Sequence, residues 1–354
     1  MANKLTRREF LKLSTIALGA AAFRTLSPTD LRLGQPLTQL GRVTIASAKV
    51  ISRPNPQGQL LGTKARDELV EIRRAVVGEG WFPHNHVWFE IPEGYIYSSL
   101  VQPVKNDVQT PVTTLPDGGF YGEISVPYTD ARAQADVSAA VVHRLYYSAV
   151  FKIKNVRTGA DGAVWYQVDD DQAENFWAEG RHVRVITADE VTPLAPDVTD
   201  KIIVADVSTH WLSAYEGKTE VFRTRIASGA TFFEPNGTAR AALTPGGAHW
   251  IWGKRFSRHM AGGVAPNGFN LPGIGWVAYF AGNGAAIHST YWHNDYGRPR
   301  SHGCLNCTPA AAKWLFRWSL PPVDYIPGNV ESQGTNGTRV EIKGTPPPLV
   351  NDGG

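Results

Sequence analysis

The stretch "AIHSTYWHNDYGRPRSHGCLN", residues 286–306, carries a histidine at the end of an apolar run and a cysteine sixteen residues later. A thiol attacks a carbonyl only as its thiolate, so it needs an imidazole that accepts its proton and a partner that fixes the imidazole tautomer. His288 fits the base and Cys304 the nucleophile. Gly303 leaves the neighbouring backbone N–H groups unobstructed, so the turn can surround a developing oxyanion.

Two other interpretations of this stretch compete with a nucleophile. A zinc site would draw on five residues, namely His288, His293, His302, Cys304 and Cys307. Such a site does not require Ser-His-Gly-Cys-x-Asn in one piece. The Cys-x-x-Cys spacing is also typical of a redox pair, but thioredoxin-type pairs follow a βαβ pattern, which is not visible here. We therefore expect neither a metal nor a cofactor.

The N-terminal segment predicts export. Residues 1–28, "MANKLTRREFLKLSTIALGAAAFRTLSP", contain a twin-arginine pair, a short apolar run and small residues where a peptidase can cut. This segment holds five basic residues and one acidic residue, whereas the whole chain is +3, so the remainder is formally −1. A chain of that charge gives no reason to expect a nucleic-acid partner.

The composition predicts a mainly β protein. The chain has 354 residues, which allows two or three domains. Its 35 glycines, 24 prolines and 11 tryptophans favour short strands and turns over long helices.

Residues 42–106 and 120–195 repeat one plan of short alternating runs. Two pairs of segments correspond, WFEI (88–91) with WYQV (165–168) and VQPV (101–104) with VTPL (191–194). The pattern predicts two small five-stranded barrels that resemble bacterial SH3-like domains. Binding of wall polymer and packing on the rest of the chain both remain open for them. The run Asp169-Asp170-Asp171 is expected to be a solvated turn.

A linker at 193–200 leads into the last domain. Its predicted elements are a buried strand, a hairpin turn and a closing strand at residues 202–207, 215–218 and 338–343. Thr308 and Pro309 fit the N-cap and the first position of a helix, "PAAAKWLFRW".

This last domain resembles the L,D-transpeptidase catalytic domain of the YkuD type, whose signature is a histidine, a spacer and Ser/Thr-His-Gly-Cys-hydrophobic-Asn. His288 and Ser301–Asn306 match every position, and the resemblance covers about residues 200–343. It implies a β-sandwich-like domain with a short helix after the cysteine. Asn306 is expected to brace the turn and is also a candidate for contact with substrate. Cys307 departs from the pattern, which needs no thiol there.

The resemblance also implies a role for each motif residue. It assigns the nucleophile to Cys304, the general base to His288 and the orientation of that base to the Ser289 carbonyl. The amides of His302, Gly303 and Cys304 are expected to form the oxyanion hole.

Substrate contacts are expected on both sides of the base. The peptidoglycan stem peptides on which the family acts carry carboxylates, so Arg298 or Arg300 is a candidate clamp. Tyr279 and Trp292 are aromatic candidates for substrate contact, and the stretch from His249 to Tyr279 is expected to fold over the substrate as a lid.

The function implied by the resemblance is an exported enzyme of the periplasm or cell wall. Its cysteine attacks a stem tetrapeptide after the third residue, D-Ala leaves, and the amine of a second stem resolves the thioester as a 3→3 crosslink. Water as the acceptor would give an L,D-carboxypeptidase, and a blocked site would leave a non-catalytic wall-binding protein. NlpC/P60 peptidases place cysteine before histidine, which is the reverse of the order here. We expect a monomer whose partners are stem peptides.

Cys307 poses a separate question because an exported protein meets an oxidising compartment. A disulfide between the two cysteines would consume the nucleophile. We expect Cys307 to point into the core as a small apolar residue, with redox gating as the alternative.

Overall fold

The computed structural model describes residues 39–172, 174–233, 236–263 and 267–347. The chain divides into two compact units, one ending at Pro103 and the other beginning at Val104. The expected twin-arginine segment, residues 1–28, lies outside the described residues, and the tail expected at 344–354 is described only to residue 347. Within the described ranges, no helix is long and apolar enough to cross a membrane.

The first unit consists of two small sheets. Its strands are β1 (Gln39–Val43), β2 (Ser47–Ile51), β3 (Leu60–Ala65), β4 (Leu69–Ile72), β5 (Arg74–Phe82), β6 (Asn85–Ile91), β7 (Gly94–Tyr97) and β8 (Val101–Val104). The sheet orders are β4–β1–β8 and β3–β2–β7–β6–β5. Val43, Val70 and Phe89 belong to one buried cluster that joins the two sheets. The alternation of apolar residues along each strand produces this shared core.

The second unit begins with one seven-stranded sheet. Its strands are β9 (Phe120–Ile124), β10 (Tyr128–Arg132), β11 (Val141–Tyr146), β12 (Val150–Thr158), β13 (Val164–Asp169), β14 (Trp177–Glu179) and β15 (Val183–Ile186). The order is β11–β10–β14–β13–β12–β9–β15. We call this part, residues 120–186, the second small domain.

The strand pairing revises the predicted internal repeat. In both copies a 3-10 turn precedes the closing strand, at Ser98–Leu100 and at Gly180–His182. The closing strands pair in the same way, since β4–β1–β8 corresponds to β12–β9–β15. Val183–Ile186 is therefore the counterpart of Val101–Val104, and the predicted correspondence with Val191–Leu194 is wrong. Hydrogen-bonded pairing defines the repeat, and a four-residue sequence likeness does not.

The rest of the second unit forms a β-sandwich with one helix in its described part. Its elements are β16 (Lys201–Asp206), β17 (Trp211–Glu216), β18 (Thr219–Arg225), β19 (Ser228–Gly229), β20 (Thr231–Phe233), β21 (Ala239–Ala241), β22 (Gly247–Trp250), β23 (Gly253–Gly262), β24 (Phe269–Tyr279), β25 (Ala286–Ser289), β26 (Pro299–Ser301), β27 (Leu305–Cys307), α1 (Pro309–Trp318), β28 (Asn329–Glu331) and β29 (Arg339–Lys343). This confirms the mainly β prediction.

Two five-stranded sheets make the sandwich, with orders β18–β17–β16–β29–β22 and β27–β25–β24–β23–β28. Ile203 from the first sheet, Trp276 and Ile287 from the second, and Leu315 from α1 share one buried core. The predicted strand at 202–207 is buried on one face only, because its side chains alternate between buried and partly exposed.

The helix starts as the sequence predicts. Thr308 is its N-cap, and the Thr308 hydroxyl accepts a hydrogen bond from the Ala311 amide at 3.3 Å. Pro309 occupies the first helical position, where its missing N–H costs nothing. This cap holds the chain directly after the cysteine pair in one conformation.

The aspartate run at 169–171 is not a solvated turn throughout, which corrects the expectation. The Asp170 side chain is 2% exposed, and its Oδ1 lies 2.9 Å from Nδ1 of His259 on β23. Asp171 accepts a hydrogen bond from the main-chain N–H of His259 at 2.9 Å. These contacts fasten the second small domain to the sandwich. Sequence reasoning missed them because His259 is 89 residues from Asp170.

Candidate active site

The site is built on two adjacent parallel strands, β25 and β27. Their register places His288 opposite Asn306 and Ile287 opposite Leu305. Successive side chains of a strand point to opposite faces. Leu305 and Ile287 therefore point into the sandwich core, while Cys304 and His288 lie on the other face of the sheet. Cys304 and His288 thus share one face, with Asn306 directly opposite His288.

His288 is 2% exposed, and both of its ring nitrogens have partners. Nδ1 lies 2.8 Å from the Ser289 carbonyl oxygen, so Nδ1 carries the proton and donates it. Nε2 keeps its lone pair and lies 3.2 Å from the Asn306 side-chain nitrogen. Burial lowers the pKa of His288 to about 4, although the Ser289 carbonyl acts in the opposite direction. At neutral pH the ring is an uncharged acceptor.

Cys304 lies one residue before β27 and is partly exposed. Burial of its sulfur raises the pKa of the thiol to about 11, and a contact with the Ala286 backbone partly offsets this. The resting pair is therefore a neutral thiol and a neutral imidazole. A sulfur in this state must lose its proton during the attack rather than before it.

The turn before Cys304 is held by Ser301. The Ser301 hydroxyl donates to the Cys304 carbonyl at 2.6 Å and accepts from the Gly303 N–H at 3.2 Å. The Gly303 N–H is thus already hydrogen-bonded to Ser301 in the resting turn. The expected oxyanion hole would instead leave this N–H open. Gly303 has φ +115°, and an added Cβ would lie 3.6 Å from its nearest neighbour, so conformation rather than crowding requires glycine.

His302 is exposed and lies between two aromatic rings. Phe232 stacks on it with centroids 4.0 Å apart, and the centroid of Phe269 lies 4.9 Å away. Its Nε2 lies 3.0 Å from the Asn267 carbonyl oxygen. The stretch expected to act as a lid is largely the paired strands β23 and β24, and Phe269 at the start of β24 reaches the residue two positions before the nucleophile.

Asn306 lies in the interior, which corrects its expected contact with substrate. Its exposure is 0%, and its backbone N–H and C=O both pair with Ala227. Its side chain touches two histidines, since Oδ1 lies 3.1 Å from Nε2 of His293. Sequence reasoning considered His293 only as a zinc ligand. His293 lies five residues after His288, and this spacing alone does not predict that both rings contact the side-chain amide of Asn306.

The two arginines differ in their surroundings. The Nε atom of Arg298 donates to Asp295 at 2.5 Å, and this side chain is 11% exposed. That ion pair corrects its expected place as an open carboxylate clamp. Arg300, with its side chain 30% exposed, lies 3.7 Å from the same carboxylate and is the more accessible of the two.

Two expected substrate contacts pack against the same apolar cluster as Cys304. Tyr279, Trp292 and Cys304 are all partly buried against the same apolar cluster, and the Trp292 ring is 5.8 Å from that of His288. The cluster continues into the second small domain, where Tyr146 stacks on Tyr291 at 5.5 Å. The second small domain therefore packs on the sheet face that carries the nucleophile.

Cys307 is completely buried in the sandwich core, as expected, and both cysteines are free thiols. The strand alternation explains this placement, because residues 304 and 307 are separated by an odd number of positions. Burial raises the pKa of the Cys307 thiol to about 12. The thiol is therefore un-ionised at neutral pH and shielded from solvent.

One group of side chains in the described ranges is close enough to hold a metal ion. Asp170, Glu174 and His259 have ligand atoms within 4.8 Å of one another. Both ring nitrogens of His259 face oxygens, those of Asp170 and Asn270, so the group also forms a hydrogen-bonded network between the second small domain and β23. The five residues considered for zinc do not form such a group in this part of the chain.

Part of the chain matches a known protein family. Residues 200–342 match the sequence model of YkuD, the L,D-transpeptidase catalytic domain. The resemblance carried by the motif is thereby confirmed over these residues. The SH3-like assignment of the preceding strands stays a prediction.

Solved L,D-transpeptidases show a remote likeness. A crystal structure of a point mutant from Enterococcus faecium is 22% identical, with 41% of this chain and 50% of that chain covered and a TM-score of 0.31. The enzyme from Mycobacterium smegmatis is 14% identical, with 55% and 99% covered and a TM-score of 0.31. A fragment from Xylanimonas cellulosilytica is 23% identical, with 47% and 72% covered and a TM-score of 0.30. The match spans about half the length of the Enterococcus structure. Among curated proteins none matches this chain significantly.

Proposed function

We propose that the protein is an exported cysteine L,D-transpeptidase that acts on peptidoglycan stem peptides. The observation that carries this proposal is the placement of Cys304 and His288 on one face of adjacent parallel strands, with the His288 tautomer set by the Ser289 carbonyl. The family match over residues 200–342 supports the same chemistry. Cys304 is partly exposed as a residue, which argues against a blocked, purely binding site.

In the first step the Cys304 sulfur attacks the carbonyl carbon after the third residue of a stem tetrapeptide, while its proton passes to His288 Nε2. Backbone N–H groups of the turn stabilise the oxyanion. Because the Gly303 amide is engaged by Ser301, we assign this role to the His302 and Cys304 amides. The intermediate collapses as the C–N bond breaks, and His288 returns the proton to the departing D-Ala amine. A thioester remains on Cys304.

In the second step the amine of another stem attacks the thioester. It gives its proton to His288, which passes it to the departing sulfur. The products are a 3→3 crosslink and the free thiol. With water as the nucleophile, the same site releases a tripeptide and acts as an L,D-carboxypeptidase.

Export is part of the proposal and is supported by the N-terminal sequence alone. The twin-arginine pattern, the apolar run and the small residues after it are typical of an exported protein. The substrate lies in the periplasm or cell wall, so the leader and the site agree. We expect the mature protein to be a monomer.

The decisive experiment is incubation of the mature protein with a defined disaccharide-tetrapeptide, with mass spectrometry of the products. A crosslinked dimer with loss of one D-Ala supports the transpeptidase, whereas only disaccharide-tripeptide indicates the carboxypeptidase. Cys304→Ala is the matched control and should give neither product. Crosslinking that persists in Cys304→Ala would refute the proposal.

A further inference from the structure

Four hydrogen bonds join two buried histidines into one chain behind the nucleophile. The Asp295 main-chain N–H donates to His293 Nδ1 at 3.1 Å. His293 Nε2 lies 3.1 Å from Asn306 Oδ1, and Asn306 Nδ2 lies 3.2 Å from His288 Nε2. His288 Nδ1 ends the chain on the Ser289 carbonyl at 2.8 Å.

The backbone at each end determines the direction of every bond. Because His293 Nδ1 accepts from an N–H, its proton sits on Nε2, and Asn306 must present its oxygen there. Because His288 Nδ1 donates to a carbonyl, its Nε2 has only a lone pair, and Asn306 must present its NH₂ group there. The two ends require the same orientation of one amide.

This orientation opposes protonation of the base. A proton on His288 Nε2 would face the NH₂ group of Asn306, so two donors would meet in a buried place. A flip of the Asn306 amide would relieve His288 but would set the NH₂ group against the Nε2–H of His293. His293 cannot move that proton to Nδ1, because the Asp295 N–H already occupies Nδ1.

We propose that His293 is a positioning residue that holds His288 neutral through the Asn306 amide, so that Cys304 rests as a thiol until this amide moves away from His288 Nε2 during catalysis. The resting state follows from the geometry alone. The role of this resting state in catalysis rests on the proposed function. A neutral Cys304 reacts slowly with oxidants between turnovers, since the thiolate is the reactive form.

The ionisable groups around the chain do not supply a counter-ion to His288. The Asp295 carboxylate pairs with Arg298 at 2.5 Å and lies 3.7 Å from Arg300. The ring of Tyr296 is 5.4 Å from that of His293. Cys304 lies on the same sheet face as His288, so we expect its thiolate to be the anion that stabilises an imidazolium.

The test is the pH dependence of Cys304 alkylation by iodoacetamide in the full mature chain, with peptide mapping to separate Cys304 from Cys307. For the wild type we expect a rate that rises only at alkaline pH. His293→Phe removes the donor to Asn306, lets the amide flip and allows a thiolate–imidazolium pair. We expect its alkylation near pH 6.5 to be at least about tenfold faster, which corresponds to one pKa unit.

The matched control is His293→Gln, whose amide can donate to Asn306 and accept from the Asp295 N–H. This variant should restore the wild-type profile.

A His293→Phe profile identical to wild type, in a variant that retains its circular dichroism spectrum, would overturn the proposal. If His293→Phe does not fold, the smaller His293→Leu removes the same donor and should produce the same acid shift. An unshifted pH profile in this second variant would also overturn the proposal. Alkylation needs no stem peptide, so a wild type that fails to turn over tetrapeptide but shows these profiles would refute only the proposed function.

Discussion

The His288 Nδ1 atom lies 2.8 Å from the carbonyl oxygen of Ser289, its own neighbour in the chain. Because Nδ1 donates its proton to this carbonyl, the free lone pair of the ring is on Nε2. His288 lies on the sheet face that also carries Cys304. A base fixed by an adjacent carbonyl needs no third catalytic side chain, because a neutral acceptor is enough to select the tautomer.

Cys304→Ala should abolish transfer and leave the fold intact. The change removes the nucleophile, so we expect the turnover of tetrapeptide to fall by more than about a thousandfold. The residue is partly exposed and the change removes a single sulfur atom, so the free energy of unfolding should change by less than about 1 kcal/mol. Product mass spectrometry and chemical denaturation measure the two effects. A large loss of stability would mean that inactivity does not identify the nucleophile.

The acid limb of kcat/KM should lie well below the usual histidine range. Burial lowers the pKa of His288 to about 4, so the base stays neutral and able to accept a proton at pH 5. We expect activity at pH 5 to remain within about threefold of the neutral value. The measurement is the specificity constant from pH 4 to 8, and a loss centred at pH 6.5 would contradict a buried neutral base.

The free energy of unfolding should fall as the pH falls below 6.5. Burial lowers the pKa of His288 to about 4 and that of His293 to about 3 in the folded protein, below the usual 6.5. At a pH between the folded and the usual pKa, the unfolded chain therefore binds more protons than the folded protein. Each histidine should lower the free energy of unfolding by roughly 2 kcal/mol between pH 7 and pH 5. Urea denaturation at the two pH values measures the sum. The His293→Gln variant should show about half of this pH dependence, and an unchanged dependence would mean that His293 does not contribute.

Asp170→Asn should weaken the attachment of the second small domain. The Asp170 and His259 side chains are 2% and 1% exposed, and disturbing a buried hydrogen bond of this kind costs about 1–3 kcal/mol. Thermal unfolding should therefore begin at a lower temperature. The control is Asp169→Asn, whose contact with Lys154 is 3.6 Å long and exposed, and which should change the stability by less than about 1 kcal/mol. Equal effects of the two variants would argue against the buried pair.

Reductant should not change the activity. Cys307 is 0% exposed and points to the opposite side of β27 from Cys304, so the two sulfurs cannot meet without local unfolding. We expect equal acylation rates with and without reductant, in the wild type and in Cys307→Ser. Reductant dependence confined to the wild type would establish redox gating instead.

Local sequence signals were sufficient for several elements. Thr308 and Pro309 predict the start of α1 because capping and the missing proline N–H act within one turn. The alternating apolar residues predict strands because the period of a strand is a property of the backbone. The spacing of His288 and Cys304 predicts the catalytic pair because the motif is nearly contiguous.

The sequence by itself thus determined the β-sandwich class of the last domain, its helix and the identity of the candidate nucleophile and base. Only the tertiary structure decided what surrounds them. The buried hydrogen bond of Asp170 with His259 and the amide shared by His288 and His293 join residues that are distant in the sequence or lie on different elements, and no local pattern records such partners. Their effect also depends on burial, since loss of water lowers the pKa of both histidines and makes each hydrogen bond costly to leave unmade. Burial is a property of the packed molecule, and for that reason the protonation state of the site could not be predicted from the sequence.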